Sequence, residues 1–188
     1  MITDQTDYEA IRLAILTWLK DYVGLNEVVF ANQKVNRPAK PYATLLIISQ
    51  GNKSGLDDVI QEFNAGSEQI ERTHLGPRTL TAQVMIYSDP ATDLATKEAQ
   101  HYMSFALDTL ESGAIRDLFR NAGIAVLQHT APNRLDQQLG DRWERRSQTD
   151  LTFSYTSKIF DDGGDGSGDW VESVELPTES NGTATFNE

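Results

Sequence analysis

The chain contains no cysteine. Disulfides, thiolate nucleophiles and cysteine-based zinc sites are thereby excluded, and the composition fits a reducing compartment. Long apolar runs are also missing. The longest, residues 43–48, is interrupted by Thr44, so no transmembrane helix and no membrane partner is expected. Ile2 is followed by polar and acidic residues, which is not the pattern of a secretory signal. Basic residues are scarce: 16 Lys and Arg stand against 28 Asp and Glu, for a net charge of −12. Residues 161–188 hold eight of the acids and no Lys or Arg, leaving residues 1–160 at −4. Sequence-independent DNA binding needs clustered basic surface, so tight DNA binding is disfavoured. A surface that DNA slides past is compatible with this balance.

Catalytic signatures are missing as well. His74, His101 and His129 are scattered and lack the spacing of a zinc motif. No GxSxG, Walker A or GxGxxG pattern occurs, and Gly51-Asn52-Lys53-Ser54-Gly55 lacks the first Walker glycine. The pairs Asp57/Asp58 and Glu68/Glu71 have no apolar surroundings to raise a carboxyl pKa. The sequence therefore predicts a non-enzyme with no catalytic residue, cofactor or metal. In residues 161–169, DDGGDGSGD, aspartates alternate with glycines, but the EF-hand ligand pattern is absent. This stretch reads as a solvated linker.

What is present is alternation. Across residues 142–160, the even positions from Arg142 to Lys158 are all polar, whereas Trp143, Leu151, Phe153, Tyr155 and Ile159 occupy odd ones. That is the period of a strand with one wet and one dry face. Such a strand is far longer than the usual 5–6 residues or so. It either carries a bulge or projects beyond its own domain. The expectation is that residues 151–160 form the core part, packing under the helices. Residues 142–148 then form a charged extension, with Arg142, Glu144, Arg145 and Arg146 at a partner interface or on an edge protected by charge.

The remaining elements follow in order. Thr6 and Glu9 suggest a capping box, followed by Ile11, Ala14, Ile15, Trp18, Leu19 and Tyr22 at helical spacing and a stop at Gly24. Residues 27–33 read as a strand. The Pro38 and Pro41 segment is an extended loop. Residues 42–50 read as a central strand covered on both faces. Residues 56–66 are ambiguous between a helical turn and an irregular excursion. Residues 67–75 and 78–88 read as two strands joined by a Gly76-Pro77 turn, with Leu80, Ala82, Val84 and Ile86 on one face. Asp89-Pro90 signals a helix start, and Ala95, Ala99, Tyr102, Ala106 and Leu110 form its stripe. Residues 114–122 read as a short helix, 124–130 as a strand and 132–140 as a loop. The grouped strands predict an α+β fold, a largely antiparallel sheet flanked by two main helices, over residues 1–160. Beyond the 161–169 linker, residues 170–188 form an acidic tail. Within it, Trp170, Val171 and Val174 belong to a strand-capable segment, free to fold back, join a neighbour's sheet or stay disordered.

Several of these motifs resemble one family in combination. They are the helix with Trp18, the strand EVVFANQ, the segment Arg37-Pro38-x-x-Pro41-Tyr42, and Ile86-Tyr87 leading into a long helix. Gly123-Ile124 and then Trp143-Glu144-Arg145-Arg146 before Asp150-Leu151 complete the set. Over about residues 8–160 the chain resembles bacteriophage neck and tail-terminator-like proteins. The resemblance implies a virion protein, assembled in the host cytoplasm, that forms a homohexameric ring. Such a ring caps the tail tube, meets the head-completion or connector protein (and a sheath protein in a contractile tail) and passes DNA through its lumen. It makes Arg37, Lys40, Arg142, Glu144, Arg145, Arg146, Trp170, Val171 and Val174 the interface candidates. Another phage structural subunit, such as a tail-tube or head-completion protein, is the alternative. A ligand-binding domain using Trp143 and Trp170 is a more distant one.

Overall fold

The computed structural model describes residues 2–32, 36–66, 69–89 and 98–161. Its elements are β1 (Ile2–Asp4), α1 (Tyr8–Thr17), β2 (Glu27–Phe30), β3 (Tyr42–Lys53), β4 (Asp58–Asn64), β5 (Gln69–Ser88), α2 (Ala99–Thr109), α3 (Gly113–Asn121), β6 (Ile124–His129), β7 (Asn133–Arg134), β8 (Gln137–Leu139) and β9 (Arg142–Asp161). The architecture is α+β with a mostly antiparallel sheet. Three helices are described, and α3 coincides with the short helix read at residues 114–122.

Two strands of 20 residues, β5 and β9, form the axis of the sheet. They pair antiparallel without a register shift from Arg72↔Asp161 to Ser88↔Arg145. β3 and β4 share the outer edge of β5, β3 opposite residues 78–87 and β4 opposite residues 69–75. β8, β7, β6 and β1 follow one another along the outer edge of β9. β2 adds to β3 in parallel.

The core lies on one face of this ribbon. Leu80, Ala82, Val84 and Ile86 of β5 are buried, as their alternation predicts, with Leu151, Phe153 and Tyr155 of β9. Ile11, Ala14, Ile15, Trp18 and Leu19 join them from the first helix, which closes with a π-helical turn over Trp18–Tyr22. Gly24, at φ +78°, ends that helix in a conformation that disfavours a side chain. Met103, Ala106 and Leu107 of α2 and Ile115 and Phe119 of α3 complete the core.

Several expectations are corrected. The cap of α1 is Asp7, whose carboxylate accepts the Ala10 N–H at 2.8 Å. The Thr6 hydroxyl instead accepts the Lys158 N–H at 3.1 Å, tying the N-terminal segment to β9. Residues 56–66 contain a strand. Leu56, Val59, Ile60 and Phe63 are spaced like a helical stripe, but pairing with β5 overrides that local signal. Residues 69–88 form one strand with no turn at Gly76-Pro77. Pro77 sits where β3 gives way to β4 as the neighbour of β5, a position that supports a residue without an N–H. The outer face of β3 is only partly covered, with Ile48 51% exposed. Two short strands occupy the region expected to be a loop at 132–140.

The long strand is also oriented differently from the expectation. Glu144, Ser147 and Thr149 are buried, whereas Thr156 and Lys158 are exposed and Ile159 is only half-buried. The more exposed end is therefore the far end of β9, which pairs with β1 and with the stretch of β5 that also carries β4. Asp89 is described just past β5, but Pro90 and the helix start it would form lie outside the described residues, and α2 is described from Ala99. Asp161, the first residue of the expected 161–169 linker, is instead the last residue of β9; residues 162–169 and 170–188 lie outside the described residues.

Candidate interface site

The candidate residues from the 36–41 segment and from β9 converge on one carboxylate. The Glu144 side chain is 2% exposed. Its Oε2 accepts from Arg37 Nη2 at 2.7 Å and from Arg146 Nη2 at 2.6 Å and Nε at 2.9 Å. Lys40 Nζ lies 2.9 Å from Oε1. A buried charge is tolerated only when it is paired, and three cations pair with this one. Burial alone would raise the Glu144 carboxyl. Hydrogen bonds from Lys40 and Arg146, and the nearby Arg37 charge, outweigh it, so the group titrates below the ordinary glutamate range. A carboxylate held ionised in this way is a poor proton donor at neutral pH. It is well suited to fixing cationic side chains at a surface.

Aromatic rings support the cations. Tyr42 and Tyr87 are register partners across β3 and β5, stacked with centroids 4.6 Å apart and planes 6° from parallel. Arg146, the register partner of Tyr87 on β9, lies 5.3 Å over that ring, and Arg37 lies 6.0 Å from it. Arg37 Nε also donates to the Tyr42 hydroxyl at 3.0 Å. That bond, with the Glu144 charge, raises the guanidinium further above its already high range.

A second carboxylate organises the neighbouring cations. Asp136 Oδ2 accepts from Arg134 Nε and Arg145 Nη1, both at 2.6 Å, and Oδ1 accepts the Arg146 N–H at 3.3 Å. Burial pushes Asp136 up, but the Arg145 and Arg134 hydrogen bonds outweigh it and leave it below the usual carboxylate range. The joined network holds five cations (Arg37, Lys40, Arg134, Arg145 and Arg146) against two carboxylates. Within this network cations outnumber carboxylates, and Asp141 of the β8–β9 turn and Glu98 near Arg134 are further acids at the same end of the ribbon. Trp143 is 52% exposed beside it, with Leu139 at 41% and Leu135 at 37%.

The structure thus brings Arg37, Lys40, Glu144 and Arg146 together, with Arg145 one hydrogen-bond step away. Arg142 pairs with Leu139 at the start of β9. Trp170, Val171 and Val174 lie outside the described residues. Sequence reasoning missed Asp136, Arg134 and the Tyr42–Tyr87 stack. The Arg-x-Asp spacing of 134 and 136, ahead of the Arg145-Arg146 pair, was the available signal.

A groove of about 900 Å3 lies between α3, β6 and β9, lined in part by Arg116, Arg120, Leu127 and His129. Trp143 is not among its lining residues. No cluster of His, Asp and Glu suited to a metal occurs among the described residues. Among them, too, no helix is long and apolar enough to cross a membrane.

No curated protein matches the chain. Residues 13–183, covering the second half of α1, the other two described helices and eight of the nine described strands, match the family model described as phage neck terminator protein, and the chain belongs to that family.

Proposed function

We propose that this protein is a structural component of the phage head–tail junction that assembles as a ring of six. The ring caps the tail tube, ends its polymerisation and joins the tail to the head-completion or connector protein. DNA passes through the lumen without specific binding. Family membership over residues 13–183 carries this reading. A phage structural role in the virion neck follows from the family, and ring order and partners are the further step. Six copies at −12 each carry −72, and an acidic lumen would repel phosphate and ease passage. Closed rings use heterologous contacts, and a ribbon 20 residues long gives each copy two distant ends.

In this reading Arg37, Lys40, Arg142, Glu144, Arg145 and Arg146 shape a contact surface. Residues 162–169 act as a linker that carries Trp170, Val171 and Val174 to a neighbouring sheet. The experiment is mass measurement in solution with negative-stain imaging, alone and mixed with tail tubes. Closed rings seated on tube ends are expected. A monomer at every concentration, with no ring on the tubes, would overturn the proposal. Stacking into open tubes would instead identify a tube subunit. A chain ending at residue 161 tests the tail: rings formed equally well without it would remove strand donation by residues 170–176.

A further inference from the structure

The two ends of the β5–β9 ribbon differ in charge and match in apolar character. β4 and the part of β5 paired with it form an arm in which all seven residues of β4 are exposed. Val59 is 47% exposed, Ile60 45%, Phe63 59% and, just before the strand, Leu56 90%. Val59 and Ile60, as neighbours in a strand, point to opposite faces. An exposed strand that is apolar on both faces invites association.

The arm is also acidic. It carries Asp58, Glu62 and Glu71 against Arg72. Glu62 and Glu71 are register partners, so two like charges stand directly opposite one another, an arrangement that destabilises a strand pair. β9 ends beside the arm at Asp161, and residues 162–188 continue with seven further acids and no Lys or Arg. At the other end stand the five cations held by Glu144 and Asp136, with Trp143, Leu135 and Leu139 exposed among them. Sixteen residue steps separate Arg72 from Ser88 along β5, about 50 Å at about 3.3 Å per residue. An arm therefore cannot reach the basic end of its own chain.

We propose that the arm of one copy docks on the basic end of the next, placing Glu62 and Glu71 against the Arg37, Lys40, Arg134 and Arg145 surface and the arm's apolar side chains against Trp143. This rests on the ring reading and supplies its subunit contact. The contact is heterologous, as a closed ring requires. It also explains why a protein of net −12 keeps five cations at one end, and why an acid pair is retained on an exposed hairpin. Trp and Arg are the residue types that most often dominate such contacts.

The test uses the full chain and two charge-reversed variants. E62K/E71K reverses the arm at exposed or half-exposed positions. R37E/R134E reverses the basic end while leaving Glu144 with Lys40 and Arg146, and Asp136 with Arg145. Circular dichroism and thermal melting establish that each variant folds. Analytical ultracentrifugation and negative stain then measure assembly. Each variant alone is expected to assemble at least tenfold more weakly than the natural chain. An equimolar mixture is expected to recover rings, because every arm then meets an opposite charge. Assembly of the natural chain should weaken with salt. If the natural chain forms rings and both folded variants do so equally well, the docking is wrong and the ring reading stands. The docking is equally wrong if only removal of residues 162–188 abolishes rings, since the tail would then be the occupant. A natural chain that stays monomeric overturns both. Failure of the mixture to recover rings, with each variant folded, also overturns the docking.

Discussion

Arg37 and Glu144 stand 107 positions apart in sequence and meet at 2.7 Å. The partnership is unequal: the Arg37 side chain is 51% exposed and that of Glu144 is 2% exposed. Removing the buried partner should therefore matter far more than removing the exposed one. Glu144→Leu leaves Arg146 and Lys40 without a counter-charge and is expected to cost about 2–3 kcal/mol, below the range of about 3–5 kcal/mol for a fully buried pair. Arg37→Ala should cost less than about 1 kcal/mol. Urea unfolding of both variants checks this, and equal losses would show that Glu144 is not the organising charge.

The same carboxylate sets a pH dependence. Its folded value is depressed below the ordinary 4.5 of glutamate. A depressed folded value means that the stabilisation is full above the unfolded value and is lost as pH falls through the folded one. The stability difference between the natural chain and Glu144→Gln should be constant from about pH 7 to about pH 5.5 and shrink below about pH 4.5. Denaturant midpoints across that range provide the measurement. A difference that grows on acidification would contradict the sign.

The core makes a third expectation. Phe119 lies edge-on to Trp18 at 5.9 Å and to Phe153 at 5.7 Å, so one ring of α3 bridges the first helix and β9. Trp18 Nε1 also donates to Thr109 Oγ1 of α2 at 2.9 Å. Phe153→Ala should cost about 3–5 kcal/mol, the usual loss for a buried aromatic ring. Trp18→Phe keeps most of the packing and gives up the hydrogen bond, for a loss of about 1–2 kcal/mol. Thermal melts that rank the two in the opposite order would relocate the centre of the core.

Where side chains alternate strictly, the fold could be read directly. Leu80 to Ile86 and Leu151 to Tyr155 signal their faces because a strand repeats every two residues and only one face is covered. The first helix was legible for the same reason at helical period, and α3 from its position between Ser112-Gly113 and Gly123. Three features were not. β4 carries Leu56, Val59, Ile60 and Phe63 at helical spacing, and only its pairing with β5 makes it a strand. Gly76-Pro77 is a turn signal in isolation, and the exchange of β3 for β4 alongside it is a long-range fact. Glu144 sits among charged neighbours that read as a wet face. Its burial depends on Arg37 and Lys40, which reach it from a loop about 100 residues earlier in the chain.

The root of the arm offers the sharpest double test. Asp57 accepts from Arg78 Nη1 at 2.7 Å and Nη2 at 3.2 Å, and Lys53 Nζ lies 2.9 Å from it. These hydrogen bonds, Arg78 first and Lys53 second, hold its carboxyl well below the usual range. The clamp joins the end of β3 and the start of β4 to β5, and it passes directly over Gly76. A Cβ at that position would lie 1.9 Å from Asp57 Oδ1 and 2.4 Å from Arg78 Nη1. Glycine is favoured here by space and not by backbone conformation, and the atoms in the way are side-chain ends that must shift to admit a Cβ. Gly76→Ala should therefore destabilise by about 1–3 kcal/mol, the usual cost of overpacking. If the clash with the clamp is the cause, the penalty should fall by more than half in an Asp57→Ala background, because the obstructing carboxylate is gone. A double-mutant cycle in urea gives the coupling directly. Additive losses would mean that Gly76 is needed for some reason other than the Asp57–Arg78 bridge above it.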